Sequence, residues 1–206
     1  LYRTLKKIIH ENREEIINRY PKTMRRSSGY MLDEFVYTDE WNLAKLFCGS
    51  EGTLATLLDI KINLIDLPKS TSLCVLHFTD RIASIATVPS IIKHNPTAVE
   101  ILDDDVISLG RNNSGTLPLL KFIEGRPDAL LICEFFGDNE EETTKKANDF
   151  AQQMAKDNIG YAWPTMTEPS TIADVWTLRK NCTGLLTGIP STRKPMPFIE
   201  DAAIPL

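Results

Sequence analysis

The stretch Ala129-Leu130-Leu131-Ile132-Cys133-Glu134-Phe135-Phe136 is almost continuously apolar, and the rest of the fold is interpreted outward from it. An apolar run of this length is typical of a strand that is covered on both faces. Residues 139–157 then place apolar side chains at helical spacing. The first turn of that helix carries three glutamates starting at Glu140, where the helix dipole favours negative charge. A buried strand followed by an amphipathic helix predicts a domain of mixed α and β structure.

The segments around this strand complete one structural unit. Residues 73–78 and 98–102 have the composition of two earlier strands, and residues 82–92 between them predict a helix interrupted by Pro89. Residues 159–165 predict a short fourth strand. The order β-α-β-β-α-β is that of a ferredoxin-like domain. The predicted fold class is therefore α+β, an antiparallel sheet with helices on one face.

Further elements are expected on either side of this unit. Residues 53–67 have strand spacing, with Ile60, Ile62 and Leu64 separated by polar residues, which predicts a strand with one buried face and a domain boundary nearby. The remaining predictions are helices over residues 1–20, 42–47 and 170–185, and a last strand over residues 198–204.

Composition limits the classes of function. The chain has 206 residues, of which 42% are apolar and 25% charged, as in ordinary soluble domains. The net charge of −5 argues against nucleic acid as a partner, because phosphate contacts need clustered cations. No apolar run approaches the roughly 20 residues that span a bilayer. We therefore expect a cytoplasmic location, either free or peripheral to the inner face of the membrane.

Cysteines and histidines are scattered rather than clustered. The four cysteines have no C-x-x-C spacing, so a zinc or iron–sulfur site made from this chain alone is not predicted, and they indicate a reducing compartment. His10, His77 and His94 lie on unrelated segments and are interpreted neither as metal ligands nor as bases. We expect His77, which interrupts an apolar strand, to be a hydrogen-bonded structural residue.

The stretch Gly49-Ser50-Glu51-Gly52-Thr53-Leu54 is the first candidate binding feature. Two glycines three residues apart allow a tight turn and a close approach of a ligand to the backbone. Exposed amide groups in such a loop can bind a pyrophosphate. Spacing alone fits a plain turn before a strand equally well, because short glycine loops are common.

Five segments of the chain, taken in order, form a recognisable series. They are Arg25–Leu32, Leu46–Leu54, Pro96–Asp103 (P-x-A-x-E-x-x-D), Trp176–Lys180 (W-x-x-R-[KE]) and Lys194–Pro205 (E-D-x-x-[IV]-P). The series resembles the end of the FAD-binding domain of the vanillyl-alcohol-oxidase type, followed by the FAD-linked oxidase C-terminal domain of D-lactate, glycolate and D-2-hydroxyglutarate dehydrogenases. The Phe-Ile-Glu-Asp stretch at residues 198–201 is most similar to large members with an appended iron–sulfur module.

The resemblance implies two domains and a cofactor. Residues 1–57 would be the C-terminal remnant of the FAD-binding domain, and residues 58–206 the substrate-binding cap, truncated at its C-terminus. FAD would be contacted largely through the backbone of Gly49, Ser50, Glu51, Gly52, Thr53 and Leu54. The family usually has glycine after this stretch, and here the residue is Ala55, which alters backbone approach at that point.

The resemblance also implies a substrate site. The arginine of W-x-x-R, here Arg179, would bind the substrate carboxylate, which a guanidinium can pair bidentately. Thr183, four residues on, would share its helix face. Lys194 is the best match for a lysine that completes the pocket, and Arg193 is its competitor. The alternatives are a surface ion pair for Arg179, a helix-interior hydroxyl for Thr183 and a solvated loop lysine for Lys194.

No catalytic residue and no metal ligand is assigned within the chain. The family's phosphate-binding loops are expected before residue 1, and its G-H-x-G-D-G-N-x-H segment, with metal-binding and proton-accepting histidines, after Leu206. Glu200 and Asp201 would support that histidine site or form a buried salt bridge. We therefore expect the chain alone to be inactive, with a divalent metal and iron–sulfur clusters, where the protein uses them, outside it.

The expected parent enzyme transfers a hydride from C2 of a D-2-hydroxy acid to the flavin and releases the 2-keto acid. The electrons would pass to a quinone, an electron-transfer protein or an iron–sulfur module. Two alternatives stay open. One is a same-fold FAD oxidase of a non-acid alcohol such as an alditol or a phenol, and the other is a non-catalytic α+β binding module.

Overall fold

The structure is a computed structural model, and it describes residues 1–23, 25–26, 29–196 and 202–204. The chain divides into two compact units. One comprises Leu1–Leu64 together with residues 202–204, and the other comprises Ile65–Met196. The domain boundary after residue 57 stays a prediction about the whole protein.

The first unit is helical and has a small core. Its helices are α1 (Tyr2–Glu11), α2 (Arg13–Arg19) and α3 (Ala44–Phe47), with a 3₁₀ turn at Leu32–Phe35. The prediction of one helix over residues 1–20 is corrected to two, because the Asn12 side chain donates to the Ile8 carbonyl and the backbone leaves helical geometry there. The buried apolar residues of this unit are Leu5, Ile9, Ile16, Phe35, Val36 and Leu46.

The second unit is built on a four-stranded antiparallel sheet. Its strands are β1 (Ser70–Phe78), β2 (Ala98–Asp103), β3 (Ala129–Gly137) and β4 (Thr165–Met166), in the spatial order β2-β3-β1-β4. This arrangement confirms the α+β prediction and the β-α-β-β-α-β order. The fourth strand is shorter than predicted, and only an isolated bridge at Ala162 precedes it.

Helices cover both faces of this sheet. One face packs against α4 (Arg81–Ile91) and α6 (Glu140–Lys156), the two helices of the ferredoxin-like unit. The opposite face is also covered, so the prediction of helices on one face was incomplete. The physical reason is that β1 and β3 are apolar on both sides and need two covers. The second cover consists of α5 (Asp104–Arg111), a 3₁₀ helix (Leu117–Phe122), α7 (Pro169–Lys180) and α8 (Cys182–Thr187).

Three other predictions differ from the structure. The strand over residues 53–67 is wrong: this stretch forms no strand, and residues 56–69 are exposed. The single helix over residues 170–185 is two helices, α7 and α8, separated at Asn181. Of the last strand, residues 198–201 lie outside the described residues, and residues 202–204 have no regular secondary structure.

Candidate functional site

The glycine loop of the first unit adopts a conformation that few residue types allow. Gly49, Glu51 and Gly52 have φ angles of +74°, +50° and +75°. A side chain at Gly49 would come within 3.4 Å of the Gly29 carbonyl oxygen, whereas one at Gly52 would meet no atom within 4 Å. The left-handed backbone accounts for the glycines, and the space beside Gly52 is open to a ligand.

Hydrogen bonds hold this loop in place. The Thr53 hydroxyl donates to the Ser50 carbonyl at 2.6 Å and lies 2.8 Å from the Tyr30 hydroxyl. The amides of Ser50 and Thr53 are used locally, while among the described residues those of Glu51 and Gly52 make no hydrogen bond. Free amide donors on an exposed turn fit an anionic group such as a phosphate, so the loop residues are compatible with the predicted cofactor role.

Arg179 lies in the last turn of α7 in the second unit. Its Nε and Nη2 groups donate to one oxygen, Oε2 of Glu100 on β2, at 3.2 and 3.0 Å. The two side chains are 48% and 36% exposed, so the pair lies at the surface of this unit. The ion pair that we considered as an alternative for Arg179 is therefore present, and its geometry determines which edge of the guanidinium remains for another ligand.

A second carboxylate lies near this pair. Glu134 on β3 is opposite Ala98 of β2, and therefore shares a sheet face with Glu100, diagonally across the two strands. Burial raises the pKa of the Glu134 carboxyl, the Trp176 indole N–H opposes this rise, and the charge of Glu100 adds to it. The site therefore combines the Arg179 guanidinium with two carboxyl groups, of which Glu134 has a pKa that burial raises.

The other two predicted substrate residues are placed differently from expectation. Thr183 is exposed on α8, and because Asn181 separates α7 from α8 it does not continue the helix of Arg179. The Lys194 ammonium donates to the Ile189 carbonyl within its own loop. Within the described chain, no hydrogen bond or ion pair links Arg179, Thr183 and Lys194. Glu200 and Asp201 lie outside the described residues.

His77 is the structural residue that its position in an apolar strand indicated. It is fully buried, the Glu124 amide donates to its Nε2 at 3.0 Å, and its Nδ1 lies 3.0 Å from the Val75 carbonyl. Since Nε2 accepts, the ring is neutral and its proton is on Nδ1. Burial is the main cause that lowers the pKa of His77.

The motif residues Glu100, Asp103 and Trp176 have roles that sequence analysis did not assign. Asp103 caps α5 by accepting the Val106 amide at 3.1 Å, and the acidic residues that follow it are a usual helix-start signal. Glu100 and Trp176 face partners on other elements. Nothing in the sequence around either residue indicates those partners.

Two absences concern the described residues only. No helix there combines the length and the apolar character that a membrane crossing requires. In the same ranges, no three His, Cys, Asp or Glu side chains are grouped as a metal site.

The family "FAD linked oxidases, C-terminal domain" matches residues 67–206, and the chain belongs to this family. Among its relatives are proteins named D-2-hydroxyglutarate dehydrogenase, from Pseudomonas putida (27% identical) and Escherichia coli (28%), each aligned over the whole chain. A D-lactate dehydrogenase from Anaerostipes hadrus is 25% identical over 80% of the chain and 33% of its own length. The chain spans 21% of the length of the two D-2-hydroxyglutarate dehydrogenases, about a fifth.

Proposed function

We propose that the protein containing this chain is an FAD-dependent dehydrogenase that oxidises a D-2-hydroxy acid of the lactate, glycolate or 2-hydroxyglutarate type to the 2-keto acid. The observation that carries the proposal is a surface arginine, Arg179, oriented by a carboxylate in a domain of the FAD-linked oxidase family. The names of the relatives support the substrate class. The electrons would leave to a quinone, an electron-transfer protein or an iron–sulfur module.

The chain contributes backbone groups to the proposed cofactor site. Gly49, Ser50, Glu51, Gly52, Thr53 and Leu54 would hold part of FAD, and the open side of Gly52 and the free amides beside it support this assignment. When bound, FAD supplies the hydride acceptor for C2 of the substrate. We expect the rest of the flavin site to come from other parts of the whole protein.

The substrate carboxylate would bind the guanidinium of Arg179. A fixed carboxylate orients the neighbouring C2–H and hydroxyl, which is what a hydride transfer requires of the binding site. Lys194 and Thr183 would add a cation and a hydroxyl to this pocket. Lys194 would first exchange its present hydrogen bond to Ile189 for one to the substrate. We assign no residue of this chain as the base that accepts the hydroxyl proton.

The test is turnover of 2-hydroxy acids by the full-length protein with Arg179→Ala. Loss of a charge-assisted pair is expected to lower kcat/KM about tenfold to hundredfold. Lys180→Ala is the matched control, because it removes a neighbouring exposed cation from the same helix end and is expected to leave kcat/KM unchanged. Unchanged turnover in Arg179→Ala would contradict the carboxylate role and favour an oxidase of a non-acid alcohol.

A further inference from the structure

We propose that Glu100 is a positioning residue that holds the side of the Arg179 guanidinium, so that its terminal edge is presented to the substrate carboxylate. The inference rests on the proposed function, because it assigns a partner to the arginine of that site. It concerns a contact between β2 and α7 that the sequence does not indicate.

The pattern of donors carries this inference. Nε and Nη2 of Arg179 both donate to the same oxygen of Glu100, at 3.2 and 3.0 Å, which is an attachment along the side of the planar group. Among the described residues no hydrogen bond uses Nη1, so the end of the guanidinium formed by Nη1 and Nη2 is not engaged by any of them. A carboxylate can bind that end with two parallel hydrogen bonds without displacing Glu100.

Both members of the pair are attached to rigid elements. Glu100 lies on β2, where it is opposite Ile132 of β3 in an antiparallel ladder. Arg179 directly follows Leu178, which is fully buried beneath α7. A free arginine side chain must give up rotamer freedom when it binds a ligand, whereas a side chain already paired on a rigid scaffold gives up less. Pairing with Glu100 therefore prepares Arg179 for its ligand.

Glu134 is a second carboxyl on this face, and the hydrogen bonds identify Glu100 as the partner of Arg179. Burial raises the pKa of the Glu134 carboxyl, and among the described residues no hydrogen bond or ion pair joins Glu134 to Arg179. Glu100 is 36% exposed, keeps contact with water and makes both hydrogen bonds to Arg179. Of the two carboxyls, Glu100 is the one that contacts Arg179, so substitutions at Glu100 test the positioning role.

The competing account is that the pair only fastens α7 to the sheet edge. Exposed ion pairs contribute little to stability, so Glu100→Ala is expected to change the melting temperature slightly under either account. Substrate affinity separates the two accounts. Asp138→Ala is the matched control, because it removes another exposed ion pair of the same unit, with Lys69 at 2.9 Å.

The experiment compares steady-state kinetics of the flavin-loaded full-length protein and its variants on the best 2-hydroxy acid. For Glu100→Ala we expect KM to rise about threefold to tenfold, because the arginine must then be ordered when the substrate binds, with kcat and flavin content unchanged. Glu100→Gln is expected to be intermediate, because its neutral oxygen accepts weaker hydrogen bonds. In the Arg179→Ala background, Glu100→Ala is expected to add no further loss, because it acts through the arginine.

Three results would overturn the inference. The first is a KM for Glu100→Ala within twofold of wild type, while Arg179→Ala has a raised KM. The second is an equal rise in KM when Glu100→Ala is introduced into wild type and into Arg179→Ala. If Glu100→Ala fails to fold, the same reading applies to Glu100→Gln, whose KM must then exceed wild type by more than twofold. The third is a wild-type KM in Arg179→Ala. In that case Arg179 does not bind the substrate carboxylate, and Glu100 cannot act by positioning it.

Discussion

Arg179 and Glu100 show how far single residues could be interpreted before the fold was known. The W-x-x-R segment marked Arg179 through a family resemblance, but its partner is 79 positions away in the sequence. The pair exists because β2 lies at the sheet edge and α7 crosses the same face. A contact of this kind depends on strand order and helix docking, which no local pattern specifies. His77 was predictable because a polar ring within an apolar strand needs partners in the core.

At the same scale, His77 predicts a pH dependence of stability. Its pKa is lowered in the folded state, so the unfolded state takes up a proton first as the pH falls below about 6.5. Stability from this residue is therefore complete above that pH and is lost as the pH falls below it towards the folded pKa. Urea unfolding of the chain at a series of pH values measures this loss.

The variant His77→Ala tests the assignment. It leaves the Glu124 amide without its acceptor, and we expect a loss of about 1–3 kcal/mol at pH values above neutrality. The drop in stability between neutral and mildly acidic pH should become smaller in this variant. His10→Ala is the control, because His10 is exposed. An equal pH dependence in wild type and His77→Ala would contradict the assignment.

At the scale of elements, burial distinguishes the strand that was predicted correctly, residues 129–136, from the strand that was predicted wrongly, residues 53–67. Residues 129–136 were assigned correctly because their apolar side chains match two covered faces. Residues 53–67 have equally clear alternation, yet Leu58 and Ile65 are each 95% exposed. A strand needs a hydrogen-bonding neighbour as well as a pattern, and the described residues provide none for this stretch. Periodicity cannot show whether that neighbour is present.

Substitution of glycine by alanine is expected to have opposite effects on stability at Gly160 and at Gly184. In Gly160→Ala, the new side chain would lie 2.9 Å from the His77 carbonyl oxygen at a φ of +79°. We expect a loss of at least about 2 kcal/mol in the free energy of unfolding. Gly184→Ala places a methyl group in open space on α8, and a gain of about 0.5–1 kcal/mol is expected. Thermal melts of the two variants measure this difference, and a shift in the same direction for both would contradict it.

The strands β1 and β3 predict the reactivity of the thiols. Cys74 and Cys133 are opposite each other in the core, and burial raises the pKa of Cys74 to about 12 and that of Cys133 well above its usual value. Cys48 is exposed. A thiol reagent at mildly alkaline pH should label Cys48 rapidly and the two core thiols only after unfolding. Cys48→Ser should remove the fast phase, and rapid labelling of Cys74 or Cys133 in the folded chain would show that the core is open.

At the scale of the whole molecule, the chain divides into two compact units, and residues 56–69 of the sequence are exposed. The order of elements in the second unit was predictable, because each strand and helix contains its own pattern. The cover on the second sheet face was not predicted: Asp103 and the two aspartates after it mark the start of α5, but no local pattern shows which sheet face a helix packs against. The family match over residues 67–206 agrees with the resemblance that the motifs indicated.

Hydrogen exchange of the chain tests this division. Amides of residues 56–67 are expected to exchange close to the rates of an unfolded peptide, because the segment is exposed and forms no strand. Amides of β1 and β3 are expected to be the most protected, since both strands are buried. Mass spectrometry of peptides from the two regions gives the comparison. Strong protection of residues 56–67 in the isolated chain would mean that the segment has a strand partner there.

The central claim is that this chain is part of a flavin enzyme that acts on D-2-hydroxy acids. The most direct measurement is the visible flavin absorbance of the full-length protein, followed without oxygen while D-lactate, glycolate, D-2-hydroxyglutarate or the L-enantiomers are added. The account predicts a yellow protein whose flavin is bleached by at least one of these D-acids or glycolate and much more slowly by the L-enantiomers. A protein without flavin, or a flavin reduced by a neutral alcohol and by none of these acids, would contradict it.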